Sequence, residues 1–129
     1  MAAAAGWTVV SKDTPLLSEV LRELGYWTAL VGKFHFNPRT CVVHNSGGGF
    51  GCGFDQQYGF IGGMSDYYNH HATWGRDGVA FRERGYATDL FGAEAERLVL
   101  DHAKLRSNTS LFLWMALTAP HTPLQAAAQ

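Results

Sequence analysis

The run Gly25-Tyr26-Trp27-Thr28-Ala29-Leu30-Val31-Gly32-Lys33-Phe34-His35-Phe36 constrains this chain more than any other. From Tyr26 to Lys33 it reads as a strand with apolar residues on both faces. Such a strand must be covered on both sides, which points to a parallel sheet lying under helices. Gly32 leaves room there for another backbone or a ligand to approach closely. Strand side chains alternate between faces, so Lys33 and His35 share one while the strand lasts. An ammonium and an imidazole leaving the end of a sheet together make a cationic, proton-donating spot suited to an anion.

The flanks supply the helices. Ser11 to Leu24 reads as an approach and a helix, with Thr14 as N-cap and Pro15 in the first turn. Leu16, Leu17, Val20, Leu21 and Leu24 form an apolar stripe at helical spacing, and Gly25 ends the helix. Thr88 to Leu105 is a second helix, with Thr88 as N-cap and Asp89 complementing the dipole. Its stripe is Phe91, Ala95, Leu98 and His102; Gly92 weakens it by up to ~1 kcal/mol. His102, late in the helix, is read as a dipole contact. Leu111 to Leu117 is a second strand, expected to be buried on both sides, and Pro120 ends it just before His121.

Helix, strand, loop, helix, strand is an α/β pattern. A strand, a long crossover containing a helix and another strand normally run parallel, with their C-terminal ends on one edge. Lys33 and His35 end the first strand and His121 follows the second. The topology therefore sends all of them towards the crevice where open α/β sheets bind ligands.

The intervening segments read as connectors. Asn37 to Gly53 is punctuation, with a turn at Asn37-Pro38 and the Gly47-Gly48-Gly49 run; neither a helix pattern nor a P-loop lysine follows. Gly53 to His71 has no clear period, and Phe54, Tyr58, Phe60, Tyr67 and Tyr68 suggest an irregular aromatic layer. Asp66, His70 and His71 invite a metal, but adjacent histidines in a loop chelate poorly, so none is assigned. Ala72 to Ala87 reads as a polar loop, with Arg76, Asp77, Arg82, Glu83 and Arg84 as a solvated surface.

At 129 residues the chain is one domain at most, and a net charge of -1 argues against a broad basic surface for nucleic acid or anionic membrane. No apolar run approaches a membrane-spanning length. The Met1 to Trp7 start lacks the basic region of a signal peptide. Cys41 and Cys52 can pair across a pliable loop or remain free thiols, and the sequence favours neither. Asn108-Thr109-Ser110 is a glycosylation sequon.

Three segments together resemble the type I sulfatases of the alkaline phosphatase superfamily. Gly25 to His35 is similar to their Gly-Tyr-x-Thr-x-x-x-Gly-Lys-Trp-His signature. Gly53-Phe54-Asp55-Gln56-Gln57-Tyr58-Gly59 resembles Gly-Phe-Asp-x-x-Tyr-Gly, and Ala119-Pro120-His121-Thr122-Pro123 resembles Ala-Pro-His-x-Pro. Their order is the family's, and Ser65-Asp66-Tyr67-Tyr68-Asn69-His70 leans towards the arylsulfatase B branch. The resemblance spans residues 11–125 and implies a middle segment of a catalytic domain several hundred residues long. Residues 1–10 and 126–129 are expected to be flexible or artefactual ends.

The resemblance implies an alkaline-phosphatase-like sandwich and hydrolysis of sulfuric esters on carbohydrate or aryl groups. It also implies a formylglycine nucleophile and a calcium ion, and a lysosomal, secretory or extracellular setting. By motif match, Lys33 would contact nucleophile and sulfate, His35 would hydrogen-bond the nucleophile, and His121 would bind sulfate or assist departure of the alcohol. Departures from the family pattern are clear. This sequence contains no Cys-x-Pro-x-Arg motif, no opening aspartate pair, no later Asp-Asn metal pair and no second active-site lysine. Phe34 stands in place of tryptophan, and Asn37 where glycine is common. The expectation is therefore sulfatase descent without activity in this polypeptide alone. The alternatives are a phosphate ester hydrolase of the same superfamily and a non-enzymatic remnant or interaction module.

Overall fold

A computed structural model describes residues 11, 13–35, 51–70 and 74–127. The expectations placed on residues 1–10, Asn37 to Gly49, Cys41 and His71 lie outside them. The elements run α1 (Leu17–Glu23), β1 (Trp27–Phe34), β2 (Gln56–Ile61), β3 (Trp74–Arg76), β4 (Val79–Ala80), α2 (Ala87–Leu105) and β5 (Leu111–Ala116). The strands form a five-stranded sheet in the order β4-β3-β2-β1-β5. β1 is parallel to both its neighbours, β2 and β5, whereas β3 and β4 are antiparallel additions at one side. This is the expected α/β architecture, with the two anticipated strands side by side.

β1 is the centre because its side chains satisfy both faces. Trp27, Ala29 and Val31 join Tyr58, Phe60, Tyr67, Trp74, Phe91 and Leu98 in the cluster under α2. Leu30 and Phe34 face the other way and pack with Cys52, Phe54 and Phe112 beside α1. Trp74, fully buried, stacks on Phe91 at 5.0 Å and on Phe60 at 5.8 Å between ring centroids.

A row of small residues crosses the whole sheet one position below Lys33. Ala116, Gly32, Gly59, Gly75 and Ala80 are successive partners from β5 to β4. Gly32 has φ +112°, and a Cβ there would lie 2.1 Å from the Ala116 carbonyl oxygen. The space anticipated at Gly32 is thus filled by neighbouring main chain.

The matched motifs turn out to grip each other. The Thr28 hydroxyl donates to the Gly53 carbonyl at 2.6 Å and accepts from the Asp55 N–H at 3.1 Å. The Asp55 carboxylate accepts from the Thr28 N–H at 3.0 Å and pairs with Arg22 of α1 at 2.8 Å. Asp55 thereby ties α1, β1 and β2 together near the N-terminal end of the sheet, away from Lys33.

Several local expectations are corrected. The segment Gly53 to His71 contains β2, and the expected polar loop contains the β3–β4 hairpin. Alternation in these short pieces is obscured by glycines at the close-approach row. The N-caps are Leu16 and Tyr86 rather than Thr14 and Thr88, and neither side chain caps. At α1 the Glu19 carboxylate instead accepts from the Leu16 N–H at 3.1 Å. The α1 stripe faces the core only in part: Leu16 packs against the cluster of Leu30, Phe34, Cys52 and Phe54, whereas Leu17 and Leu24 are 63% and 70% exposed. The helix is turned so that the buried Ser18 hydroxyl donates to the Cys52 carbonyl at 2.5 Å. β5 is not buried on both sides, since Trp114 and Met115 are 44% and 40% exposed. Among the described strands it lies at the sheet's edge, where only one neighbour covers it.

The α2 face is also more polar than its stripe suggested, because Glu94 is buried between Phe91 and Leu98. Its carboxylate receives Arg76 of β3 and Arg97 of its own helix. Burial opposes ionisation of Glu94, but the hydrogen bonds from Arg97 and Arg76 outweigh it and hold its pKa below the usual carboxylate range. The supposed solvated charges are therefore structural in part. Arg76 reaches Glu94 and lies over the Tyr58 ring at 4.8 Å, Asp77 accepts from the Gln57 N–H at 2.7 Å, and Glu83 accepts from the Tyr58 hydroxyl at 2.5 Å. His102 stacks on Trp27 at 5.8 Å, a packing role beyond the dipole contact expected of it. Cys52 is disulfide-bonded.

Candidate anion-binding site

Lys33 is the penultimate residue of β1, half-buried, and aligned with Phe60 of β2. By alternation it follows Ala29 and Val31 on the α2 face. His35 comes directly after β1 and is half-buried. Its ring lies against the main chain of Gly63, where a Cβ would fall 2.8 Å from ring atoms Cε1 and Nε2. Glycine at position 63 is thus what lets the loop after β2 close over this imidazole.

His121 is exposed and lies beyond the C-terminal end of β5. Its N–H donates to the Thr118 carbonyl at 2.8 Å, which turns the chain after the strand. Its Nδ1 sits 2.6 Å from the Thr122 carbonyl. A carbonyl only accepts, so Nδ1 carries the proton and Nε2 is left as the nitrogen for a ligand. In the neutral ring Nε2 offers a lone pair, and in the charged ring a second N–H. The Thr118 hydroxyl is buried with no hydrogen-bond partner among the described residues. Such a group costs about 1–3 kcal/mol unless a water or ligand oxygen reaches it.

Because β1 and β5 are parallel neighbours, their C-terminal ends emerge on one edge. The loop 62–70 touches both ends. Gly63 backs His35, while the Tyr67 hydroxyl donates to the His121 carbonyl at 3.0 Å. Burial raises the Tyr67 phenol pKa above its ordinary value, so the group stays protonated as a donor. Sequence reasoning placed Tyr67 in an aromatic layer and missed this contact, although it lies in the quoted Ser65 to His70 run. Thr118 carried no signal beyond its proximity to His121.

Both ring nitrogens of His70 are turned to main-chain carbonyls. Its ring stacks on Trp74 at 3.9 Å, and Nδ1 and Nε2 lie 2.9 Å and 3.3 Å from the Glu83 and Tyr67 carbonyls. Among the described residues no group of three or more His, Cys, Asp or Glu could hold a metal ion. The described residues therefore do not form the calcium cage that the resemblance implies. Asn108 is exposed in the turn between α2 and β5. No helix among the described residues is long and apolar enough to cross a membrane.

The mostly parallel sheet with its helices is an α/β fold. It is similar to those of solved sulfatase-like structures of the alkaline-phosphatase-like fold. Ps i-CgsB in complex with k-i-k-neocarrahexaose has a TM-score of 0.76 and 28% identity, over 97% of this chain and 30% of that one. BT4656, in complex with its substrate D-glucosamine-2-N,6-O-disulfate, has a TM-score of 0.64 and 26% identity, over 93% of this chain and 22% of that one. Among curated proteins, arylsulfatase J of Mus musculus is 29% identical over 88% of this chain and 20% of its own length. The arylsulfatase of Klebsiella aerogenes is 27% identical over 85% and 25%. The family model described as Sulfatase matches residues 4–129, and the chain belongs to that family. It spans about a fifth to a quarter of the curated relatives it matches.

Proposed function

We propose that this chain carries the sulfate-binding side of a sulfuric ester hydrolase site, formed by Lys33, His35 and His121. The observation that carries this reading is the parallel pairing of β1 with β5, which puts the ends of two matched motifs on one edge. Lys33 donates to sulfate oxygens and offsets the charge that builds on them as the ester bond breaks. His121, with Nδ1 committed to Thr122, uses Nε2–H to donate to the bridging oxygen as the alcohol leaves. His35 holds a hydrogen bond to the nucleophile, which the resemblance assigns to a formylglycine outside this sequence. Calcium belongs to the same expectation.

The substrate class is a sulfated carbohydrate or aryl ester. The disulfide at Cys52 supports an oxidising lysosomal, secretory or extracellular setting. An exposed Asn108 sequon is compatible with glycosylation there. Residues 11–125 make up the partial catalytic domain.

Titration with inorganic sulfate, followed on the histidine ring resonances, tests the site. Losing one charge-assisted contact of about 1.5–3 kcal/mol in Lys33→Ala should weaken binding by roughly 10- to 100-fold. Equal affinity in Lys33→Ala would remove Lys33 from the site. The same chain incubated with a chromogenic aryl sulfate and calcium should show no turnover above buffer, because the modification motif is missing from its sequence.

A further inference from the structure

The segment after β5 leaves the sheet, so no strand ladder holds His121. A set of side-chain bonds to one loop does so instead. Besides the Tyr67 hydroxyl on the His121 carbonyl, the Tyr67 N–H donates to Gln125 Oε1 at 2.8 Å. Gln125 Nε2 donates to Asp66 Oδ2 at 3.0 Å. The Tyr86 hydroxyl donates to the Gln125 carbonyl at 2.9 Å, and its ring stacks on Tyr67 at 5.6 Å. The other Asp66 oxygen accepts from the Tyr68 and Asn69 N–H groups at 2.8 Å and 2.7 Å, which shapes the turn.

We propose that Asp66, Tyr67 and Gln125 form a clasp that positions His121 for its ligand. The proposal rests on the reading of His121 as part of the sulfate site. Gln125 suits the task because an amide offers an acceptor and a donor at once, one for a main-chain N–H and one for a carboxylate. Glutamate at 125 would face Asp66 with like charge. Tyr67 is 1% exposed, so its hydroxyl is a fixed point rooted in the core. The loop also backs His35 through Gly63, so one segment contacts both histidines. These are positioning residues; none is assigned a contact with substrate.

The test uses the full chain with labelled histidine, inorganic sulfate as probe, and two readouts: sulfate affinity and hydrogen exchange of the His121 amide. Tyr67→Phe and Gln125→Ala should each weaken sulfate binding about 10-fold and speed exchange at His121 by a similar factor. The response of the His35 ring to saturating sulfate should persist. Gln125→Glu should weaken binding as much, while Asp66→Asn combined with Gln125→Glu reverses donor and acceptor and should restore affinity to within about 2-fold. A defect unrelated to the hydrogen bond between positions 66 and 125 would not be rescued by that exchange. Unchanged affinity and exchange in both Tyr67→Phe and Gln125→Ala would overturn the clasp, as would failure of the exchanged pair to recover either readout. If the unaltered chain binds no sulfate, the functional reading falls and amide exchange alone decides the clasp. Faster exchange with recovery upholds it, and no change overturns it.

Discussion

Replacing Gly32 with alanine probes the row of small residues on which the site edge rests. An alanine Cβ would sit 2.1 Å from the Ala116 oxygen and 2.8 Å from its carbonyl carbon, at φ +112°. A side-chain residue forced into such a region costs on the order of 1–3 kcal/mol. Relieving the clash requires β1 and β5 to part by roughly 1 Å, and overpacking of that kind costs typically 1–3 kcal/mol. The expected loss is therefore about 2–6 kcal/mol, a large share of the 5–15 kcal/mol typical of a domain. Urea unfolding followed by tryptophan fluorescence should show the midpoint falling by about 2 M for a slope near 2 kcal/mol/M. Gly92→Ala is the matched control, since no atom lies within 4 Å of its Cβ and it sits inside α2. It should stabilise by about 0.5–1 kcal/mol. A Gly32→Ala loss below ~1 kcal/mol would refute the close-approach argument.

Other perturbations separate the roles of buried groups. Glu94→Ala removes the carboxylate partner of Arg76 and leaves Arg97 paired with Asp101 alone, but both arginines are 41% exposed and can hydrate, so a loss of about 1–3 kcal/mol is expected in urea unfolding. Because the folded pKa of Glu94 is depressed, its contribution is complete above the unfolded value of 4.5 and fades as pH falls through the folded one. Acid titration of Glu94→Gln should thus show less stability lost below about pH 4.5 than the parent chain shows. Trp74→Ala removes a fully buried ring stacked on Phe60, Phe91 and His70, and should cost about 3–5 kcal/mol by the same assay. Asp55→Ala should destabilise by about 1–3 kcal/mol through the Thr28 N–H it leaves unsatisfied, while sulfate affinity stays unchanged.

Much of this architecture was legible in the residues. The two-faced apolar content of Tyr26 to Lys33 demanded a central parallel strand, and the helix between the two apolar runs implied their common direction. The motif residues were harder to sort. Lys33, His35 and His121 look no more important in the sequence than Thr28 and Asp55, yet the latter pair joins elements near the opposite end of the sheet. β2 and the β3–β4 hairpin escaped notice because Gly59 and Gly75 interrupt any alternation. Glu94 was hidden for a different reason: helical spacing marks apolar positions, and a carboxylate enters a core face only when arginines from elsewhere meet it. The outward turn of Leu17, Val20 and Leu24 accompanies the Ser18 hydrogen bond and the close approach of Gly53 to α1, where a Cβ would lie 2.3 Å from the Glu19 nitrogen, and is invisible to periodicity.

Main chain alone sets the spacing of the rim that bears Lys33. With alanine or glycine in every strand at the level beneath it, no bulky group can wedge adjacent strands apart or be trimmed to draw them together. The gauge between neighbouring strands stays at the ladder value of about 4.8 Å. Accommodation of ligands of different breadth then falls to the segments that leave the sheet, and the floor beneath them remains constant.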